Sequence, residues 1–290
     1  FGISPSFAPH FRGEDQASVE CYFRKLMKLE GAVIAVTGGA SGLGAATAQL
    51  CVERGAKVAV LDMNKENGEA LVQELGTEKA IFLECNILDE KSVEACMTAI
   101  KEKFGKLSGV VSCAGGQTMG CGLTVDKKGN PHQLKPFVKT MELNIVGTFL
   151  IATKSAALIA ENTPEDEEGE RGCIINVASV AAQDGQNGQI AYSAGKGGIM
   201  AMTLPMARDL GMRGIRVNCI LPGVFDTPMT APLKQFRPQV YKNLAQSNVF
   251  PNNRLGLPEE FAKMAVAILE NKYMNGESIR VDGGIRMGKL

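Results

Sequence analysis

From residue 32 onward, short apolar runs rich in β-branched residues alternate with longer stretches whose apolar positions recur at helical spacing. Seven runs stand out: AVIAVTG (32–38), KVAVLD (57–62), AIFLECN (80–86), GVVSCAG (109–115), GCIINVAS (172–179), RVNCILPG (216–223) and SIRVDGG (278–284). Several are apolar at almost every position, as strands are when helices cover both faces of a sheet. Strands that alternate with helices predict βαβ units and therefore a parallel sheet. Between them, residues 89–104 place Val93, Cys96, Met97, Ile100 and Phe104 on one helical face, with Asp89 set to cap the start and Gly105 to stop it. Residues 42–54 and 64–75 read the same way, the second opening at Asn64 and closing before Gly76. A further helix carries Ile190, Ile199, Met202, Leu204, Met206 and Leu210, enough apolar positions for burial on more than one side.

Two stretches carry no such period, residues 116–136 and the proline-rich segment 222–251. Long loops in a compact α/β fold are usually functional. The acidic run ENTPEDEEGERG (161–172) reads as a solvated loop. With no internal repeat and no linker, residues 31–290 are expected to form one domain. Residues 1–30 combine Pro5, Pro9, Arg12, Arg24 and Lys25 with Glu14, Asp15 and Glu20, which suits a weak or processed leader or an appended extension, with Met27 an alternative start.

Charge narrows the function classes. Thirty-one basic residues balance 31 acidic ones, so no global field favours nucleic acid or an anionic membrane. The eight cysteines include no C-x-x-C pair and have no histidine at zinc spacing, so they are read as reduced, structural thiols with no metal site. No apolar run approaches the roughly 18 to 20 residues of a membrane span.

TGGASGLG (37–44) follows the first predicted strand and opens a helix. Gly38, Gly42 and Gly44 let the chain turn sharply and let a pyrophosphate approach backbone N–H groups at a helix amino terminus. Asp62 ends the second strand 18 residues after Gly44, placed to accept hydrogen bonds from ribose hydroxyls and to repel a 2′-phosphate. With no Arg or Lys in the loop or directly after Asp62, the expected cofactor is NAD(H) rather than NADP(H).

Hydride transfer to a carbonyl needs a proton donor, commonly histidine, yet the chain has only His10, in the leader, and His132, in a loop. AYSAGKGGI (191–199) offers another: Tyr192 and Lys196 lie one helical turn apart on one face. An adjacent ammonium favours the phenolate and is expected to lower the tyrosine pKa from about 10. Taken alone such a pair is a surface contact; downstream of a nucleotide loop it is a candidate acid/base.

At this point the sequence resembles the short-chain dehydrogenase/reductase family, across roughly residues 31–290. The resemblance implies a single-domain Rossmann fold, a doubly wound seven-stranded parallel α/β sheet with helices on both faces. By position it makes Tyr192 the acid/base, Lys196 its pKa modifier and a ribose ligand, Ser179 the group orienting the substrate oxygen, and Asn144 the holder of helix geometry and a relay water. It implies cofactor contacts at Gly38, Ser41, Gly42, Leu43, Gly44, Asp62, Asn86, Ile87, Cys113, Ala114, Gly115, Tyr192, Lys196, Pro222, Val224 and Thr227. Within the family, the run from GCIINVAS to GIRV, the loop DKKGNPHQL and NGESIRVDGGIRM resemble the type 2 3-hydroxyacyl-CoA dehydrogenases, also called type 10 17β-hydroxysteroid dehydrogenases. That likeness implies an NAD-dependent, mitochondrial homotetramer oxidising 3-hydroxyacyl-CoA thioesters and some hydroxysteroids, and in animals a ribonuclease P subunit; absent a targeting leader, the expected location is cytoplasmic.

Three departures matter. Asn86 stands where the family usually has Asp, but its carbonyl can still accept from an adenine amino group. Ser112 stands for the usual Asn, which puts one structural hydrogen bond in question. Gly195 replaces a Ser or Thr and, with Gly197 and Gly198, allows a close helix contact, across subunits in the family. Two rival functions remain open at this stage: a dinucleotide-binding scaffold or RNA-processing subunit, and a reductase of another carbonyl substrate such as an acyl carrier protein thioester or a xenobiotic ketone.

Overall fold

The computed structural model describes residues 29–286 apart from 120, 121 and 165, so most of the expected leader, and His10 with it, lies outside the described residues. All seven strands form where the apolar runs placed them: β1 (Val33–Thr37), β2 (Lys57–Asp62), β3 (Ala80–Glu84), β4 (Gly109–Ser112), β5 (Gly172–Val177), β6 (Ile215–Pro222) and β7 (Ser278–Val281). They pair in parallel in the order β3-β2-β1-β4-β5-β6-β7. That order reverses direction between β1 and β4, and the crevice at the carboxyl ends of those strands is where ligands bind in open α/β sheets.

Helices cover both faces. On one, α1 (Gly42–Glu53), α2 (Lys65–Leu75) and α9 (Pro258–Glu270) pack on Ile34, Val36, Val58, Val60, Val111 and Ile175. On the other, α3 (Glu90–Phe104), α5 (Gly147–Ile159) and α6 (Ile190–Gly211) pack on Val33, Ala35, Leu61, Val110 and Ile174. The caps read from sequence are present: Asn64 accepts from the Asn67 N–H at 3.0 Å, Asp89 from Lys91 N–H at 3.0 Å, and Gly105 is left-handed with φ 80°.

Segment 222–251 is not irregular throughout. It contains α7 (Ala231–Phe236) and α8 (Pro238–Gln246), each with a proline in its first turn. Proline there has no intrahelical N–H bond to lose, so the prolines that suggested a loop mark helix starts. The acidic run is corrected too: Glu170 is buried against the Arg216 guanidinium at 2.8 Å, and Asp166 pairs with Lys272. A buried arginine on β6 needs a countercharge, and the loop supplies it.

α4 (Leu134–Met141), a π-helical turn (Glu142–Val146) and α5 run on as one helix, Leu134–Ile159, with a mean hydropathy of 1.3 over its most apolar window. By length and composition alone this helix meets the size of a membrane span, as core helices of globular domains also do. Half of that window is buried inside the fold, as in the core helix of a globular domain.

Candidate active site

The glycine turn is built for an anion. Gly38 has φ 61°, and a Cβ there would lie 3.0 Å from the Ala114 nitrogen, so β1 and β4 can run on together only without a side chain. Gly42 has φ 53° and faces Thr227, whose Cβ would be 3.3 Å from an added methyl. A methyl on Gly44 would collide with the Gly38 carbonyl oxygen. Ser41 precedes α1 in extended conformation without capping it through its side chain, and no acidic residue occupies the first turn. An uncapped helix start leaves its first N–H groups for a ligand, and its dipole favours negative charge. These residues fit a dinucleotide pyrophosphate.

Asp62, at the end of β2, accepts from Ala40 N–H at 3.1 Å through one oxygen and from Asn64 N–H at 2.9 Å through the other. Both bonds orient the carboxylate beside the turn and leave lone pairs for hydroxyl donors. Asn86 behaves differently from the expectation of a free carbonyl: its Oδ1 accepts from Leu88 N–H at 3.0 Å, and its own N–H donates to Ser92 Oγ at 3.0 Å. Only one lone pair on Oδ1 remains for an adenine. Ile87, next to it, is buried beneath α5, where a Cβ on Gly147 would meet its side chain at 2.6 Å.

Beyond β4, Ala114 N–H donates to Thr37 Oγ1 at 3.1 Å, which fixes the path of Cys113, Ala114 and Gly115. Burial pushes the Cys113 thiol up to about 12, so it is no nucleophile near neutral pH. Gly115 threads between two functional side chains: a Cβ there would lie 2.9 Å from Asn144 Oδ1 and 3.1 Å from Lys196 Nζ. Asn144 is fully buried inside the π-turn. Its amide donates to Gly116 O at 2.6 Å and Thr140 O at 2.8 Å, and its carbonyl accepts from Gly116 N–H at 3.1 Å. A π-turn disturbs the i to i−4 ladder, and here Asn144 satisfies the Thr140 carbonyl and pins the β4 loop with the same side chain.

Ser179 follows β5. Its Oγ accepts from Ala181 N–H at 3.1 Å, and the Ser179 side chain favours ionisation of the Tyr192 hydroxyl. Lys196 is buried, donates to Val177 O at 2.9 Å, and lies 5.8 Å from the Tyr192 ring centroid. Burial holds the tyrosine above its ordinary pKa despite the opposing effect of Ser179, and brings the lysine down to about 8. The expected lowering of Tyr192 is therefore reversed in this state: desolvation of the phenol outweighs its neighbours, and the Lys196 ammonium is directed at a main-chain carbonyl.

Two glycines of α6, Gly195 and Gly198, pack closely within the chain. A Cβ on Gly195 would sit 3.1 Å from that of Asn144, and one on Gly198 would sit 2.6 Å from Ile145 Cδ1. This close contact to the chain's own π-turn sets Lys196 beside Asn144. Pro222 ends β6, and Val224 O accepts from Gly256 N–H at 3.0 Å, which holds the segment carrying Thr227 against Gly42. Sequence reasoning missed Thr37, Thr140, Val177 and Gly116; the last three act through main-chain atoms, which leave no residue-type signal. His132 is held by its loop, Nδ1 2.8 Å from Gln133 O. Ser112 Oγ and both polar atoms of the Asn176 side chain lack partners among the described residues, so the bond questioned at Ser112 is indeed missing.

A family model described as enoyl-(acyl carrier protein) reductase matches residues 38–286. The 3-hydroxyacyl-CoA dehydrogenase type-2 of Drosophila melanogaster is 45% identical over 259 residues, 89% of this chain and 99% of that protein. The ipsdienol dehydrogenase of Ips pini is 32% identical, over 90% and 99% of the two chains. A crystal structure of 3-hydroxyacyl-CoA dehydrogenase type-2 from Mycobacterium avium superposes with a TM-score of 0.82 at 39% identity, covering 89% of this chain and 97% of that one. The family model covers most of the chain, and the relatives match it in sequence and fold over nearly their full length: the chain belongs to the short-chain dehydrogenase/reductase family and is an oxidoreductase that uses a nicotinamide dinucleotide.

Proposed function

We propose that the protein interconverts secondary alcohols and ketones with NAD(H), and that its substrates are 3-hydroxyacyl-CoA thioesters, with hydroxysteroids a secondary class. The observation that carries the chemistry is the gathering of Tyr192, Lys196 and Asn144 around Gly115, with Lys196 Nζ 5.8 Å from the Tyr192 ring centroid and a Gly115 Cβ only 3.1 Å from Lys196 Nζ and 2.9 Å from Asn144 Oδ1. Tyr192 gives its proton to the substrate oxygen during reduction and takes one from the alcohol during oxidation, while Ser179 holds that oxygen. The bound dinucleotide supplies or accepts the hydride. Lys196 places positive charge beneath the tyrosine, and Asn144 fixes the loop and helix between which the reaction runs. An apolar substrate is supported by Met119 and Met229, exposed on the two segments that border the site, with Met229 Cε 3.9 Å from where a Gly116 Cβ would stand. The test is NADH-linked reduction of acetoacetyl-CoA beside a panel of steroid and simple ketones. Turnover fastest with the thioester is expected. NADH binding with no turnover across the panel would instead favour the scaffold reading.

Preference for NAD(H) over NADP(H) rests on Asp62, whose oriented carboxylate would face a 2′-phosphate with only Met63 and Asn64 directly after it. Removing one member of a like-charge clash relieves it. Asp62→Ala should narrow the ratio of the two dissociation constants by at least about tenfold, measured by fluorescence titration. Equal affinities in the unaltered protein would sink the assignment.

Family resemblance also supports a mitochondrial location and a homotetramer. An apolar stripe on the Leu134–Ile159 helix, formed by Leu134, Val138, Val146 and Phe149, is exposed and offers a face for self-association. Light scattering should give a mass above that of one chain, and Phe149→Glu should lower it; a strictly monomeric protein rejects the proposal.

A further inference from the structure

Ser179 follows β5 and leads into a 3₁₀ turn, Val180–Ala182, in which Val180 and Ala181 are buried. The turn closes on itself: Ser179 O accepts from Ala182 N–H at 2.9 Å, and Val180 O accepts from Gln183 N–H at 3.0 Å and from Asp184 N–H at 2.8 Å. So short a turn has little persistence of its own. β5 fixes its entry, but after its exit no helix or strand begins until α6 at Ile190. Arg280 of β7, two strands away from β5 in the sheet, grips that exit. Its Nη1 donates to Gln183 Oε1 at 2.8 Å and its Nη2 to Asp184 Oδ2 at 2.7 Å. We propose that Arg280, through its pair with Asp184, is a positioning residue that sets Ser179 for the reaction.

The guanidinium is aimed from its own side before it reaches the turn. Its Nε donates to Asp282 Oδ2 at 2.7 Å and its Nη2 to Ile285 O at 2.9 Å, while Asp282 Oδ1 accepts from Gly284 N–H at 3.0 Å. The side chains of Arg280, Asp184 and Asp282 are 17%, 20% and 9% exposed, so water competes weakly and the pair is unlike an ordinary surface ion pair. A planar fork with several donors at fixed angles places its acceptors as well as neutralising them, which a lysine ammonium does not. On the opposite side the segment has no slack. A Cβ on Gly185 would collide with the hydroxyl of Ser193, the residue after Tyr192, and Gln183 Nε2 lies 3.7 Å from Met200 Sδ on α6. The turn is thus wedged between β7 and α6, and a shift of its exit displaces Ser179 relative to Tyr192. A misplacement of about 1 Å can cost on the order of a hundredfold in rate.

The assignment rests on the reading of Ser179 as the group that holds the substrate oxygen, and the experiment separates the two. The kcat for acetoacetyl-CoA reduction and the Kd for NADH are measured for Arg280→Met, Asp184→Ala, Asp184→Glu, Ser179→Ala and the Ser179→Ala/Arg280→Met double variant, with urea unfolding to establish that each is folded in the assay. Arg280→Met and Asp184→Ala should each lose kcat by about tenfold or more while the NADH Kd stays within about twofold. Asp184→Glu, which keeps the carboxylate, should recover most of that loss. In the Ser179→Ala background Arg280→Met should cost less than about twofold, because its effect passes through the serine. If Arg280→Met does not fold, Asp184→Ala and Asp184→Glu carry the comparison, alone and on Ser179→Ala. The proposal is overturned if Arg280→Met keeps its kcat, if the losses from Ser179 and Arg280 multiply, or if kcat and NADH affinity fall together, as a general loosening of the fold would make them. Ser179→Ala with full turnover overturns the role of the serine and the proposal with it. An impaired Ser179→Ala beside a fully active Arg280→Met overturns the proposal alone.

Discussion

Tyr192→Phe loses turnover by at least about a hundredfold and keeps its affinity for NADH, because general acid/base catalysis is worth typically 10² to 10⁴-fold and only the proton-carrying hydroxyl is removed. The ring stays, so the packing of α6 beside Ser179 survives. Ser179 keeps its bond from Ala181 N–H at 3.1 Å in the variant. Stopped assays with acetoacetyl-CoA, together with NADH titration, separate the two effects. The pH dependence adds a second check with a definite sign. Oxidation needs the phenolate, so its rate rises with pH; reduction needs the phenol, so its rate falls. Burial holds the Tyr192 pKa above its ordinary value, so the rising limb of oxidation lies on the alkaline side unless the bound substrate and cofactor bring it down. A variant that keeps most of its activity, or a limb that survives in Tyr192→Phe with chemistry rate-limiting, would remove the residue from this role.

The strands are legible in the chain because β1, β5 and β6 are buried at every position, and a short, near-continuous apolar run is what a strand covered on both faces requires. The nucleotide turn is legible because glycine is required where the chain after β1 runs close against that after β4, and the residue type itself reports the backbone constraint at Gly38 and Gly42. Two kinds of feature are not. Proline marks both breaks and helix starts, so Pro232 and Pro238 give 222–251 the look of a loop although each opens a helix. Electrostatic environment is the other. The spacing of Tyr192 and Lys196 shows that they share a face, yet it carries no information about depth, and depth decides the direction in which each titrates. The same holds for Gly195 and Gly198: composition requires a close neighbour, and only the packing shows that the neighbour is the π-turn holding Asn144.

Lys196→Met is expected to cost activity and at the same time to lift a pH-dependent burden on the fold. The buried amine has a pKa of about 8 against an ordinary 10.5, so folding favours its neutral form. Below about 8 the lysine is protonated folded and unfolded alike, and the folded state bears the full penalty. Between about 8 and 10.5 the unfolded chain binds more protons than the folded one, so this group's contribution to stability rises with pH. The shift corresponds to a burden on the order of 3 kcal/mol below that window. Methionine removes the charge but leaves the Val177 carbonyl without its 2.9 Å bond, a loss of about 1–3 kcal/mol, so the net change near neutral pH is small. The decisive quantity is the difference between variant and unaltered protein in urea unfolding free energy as pH is raised. It should move in favour of the unaltered protein by kilocalories, not tenths, as pH rises from about 8 to 10.5, because only that protein gains stability from this residue. Turnover in the variant should fall by about a hundredfold or more and NADH should bind more weakly, since the same ammonium is assigned to the ribose and to the tyrosine. A difference independent of pH would mean that Lys196 is an ordinary lysine with access to water. Full activity in the variant would mean that the charge beneath Tyr192 is not what makes its proton available.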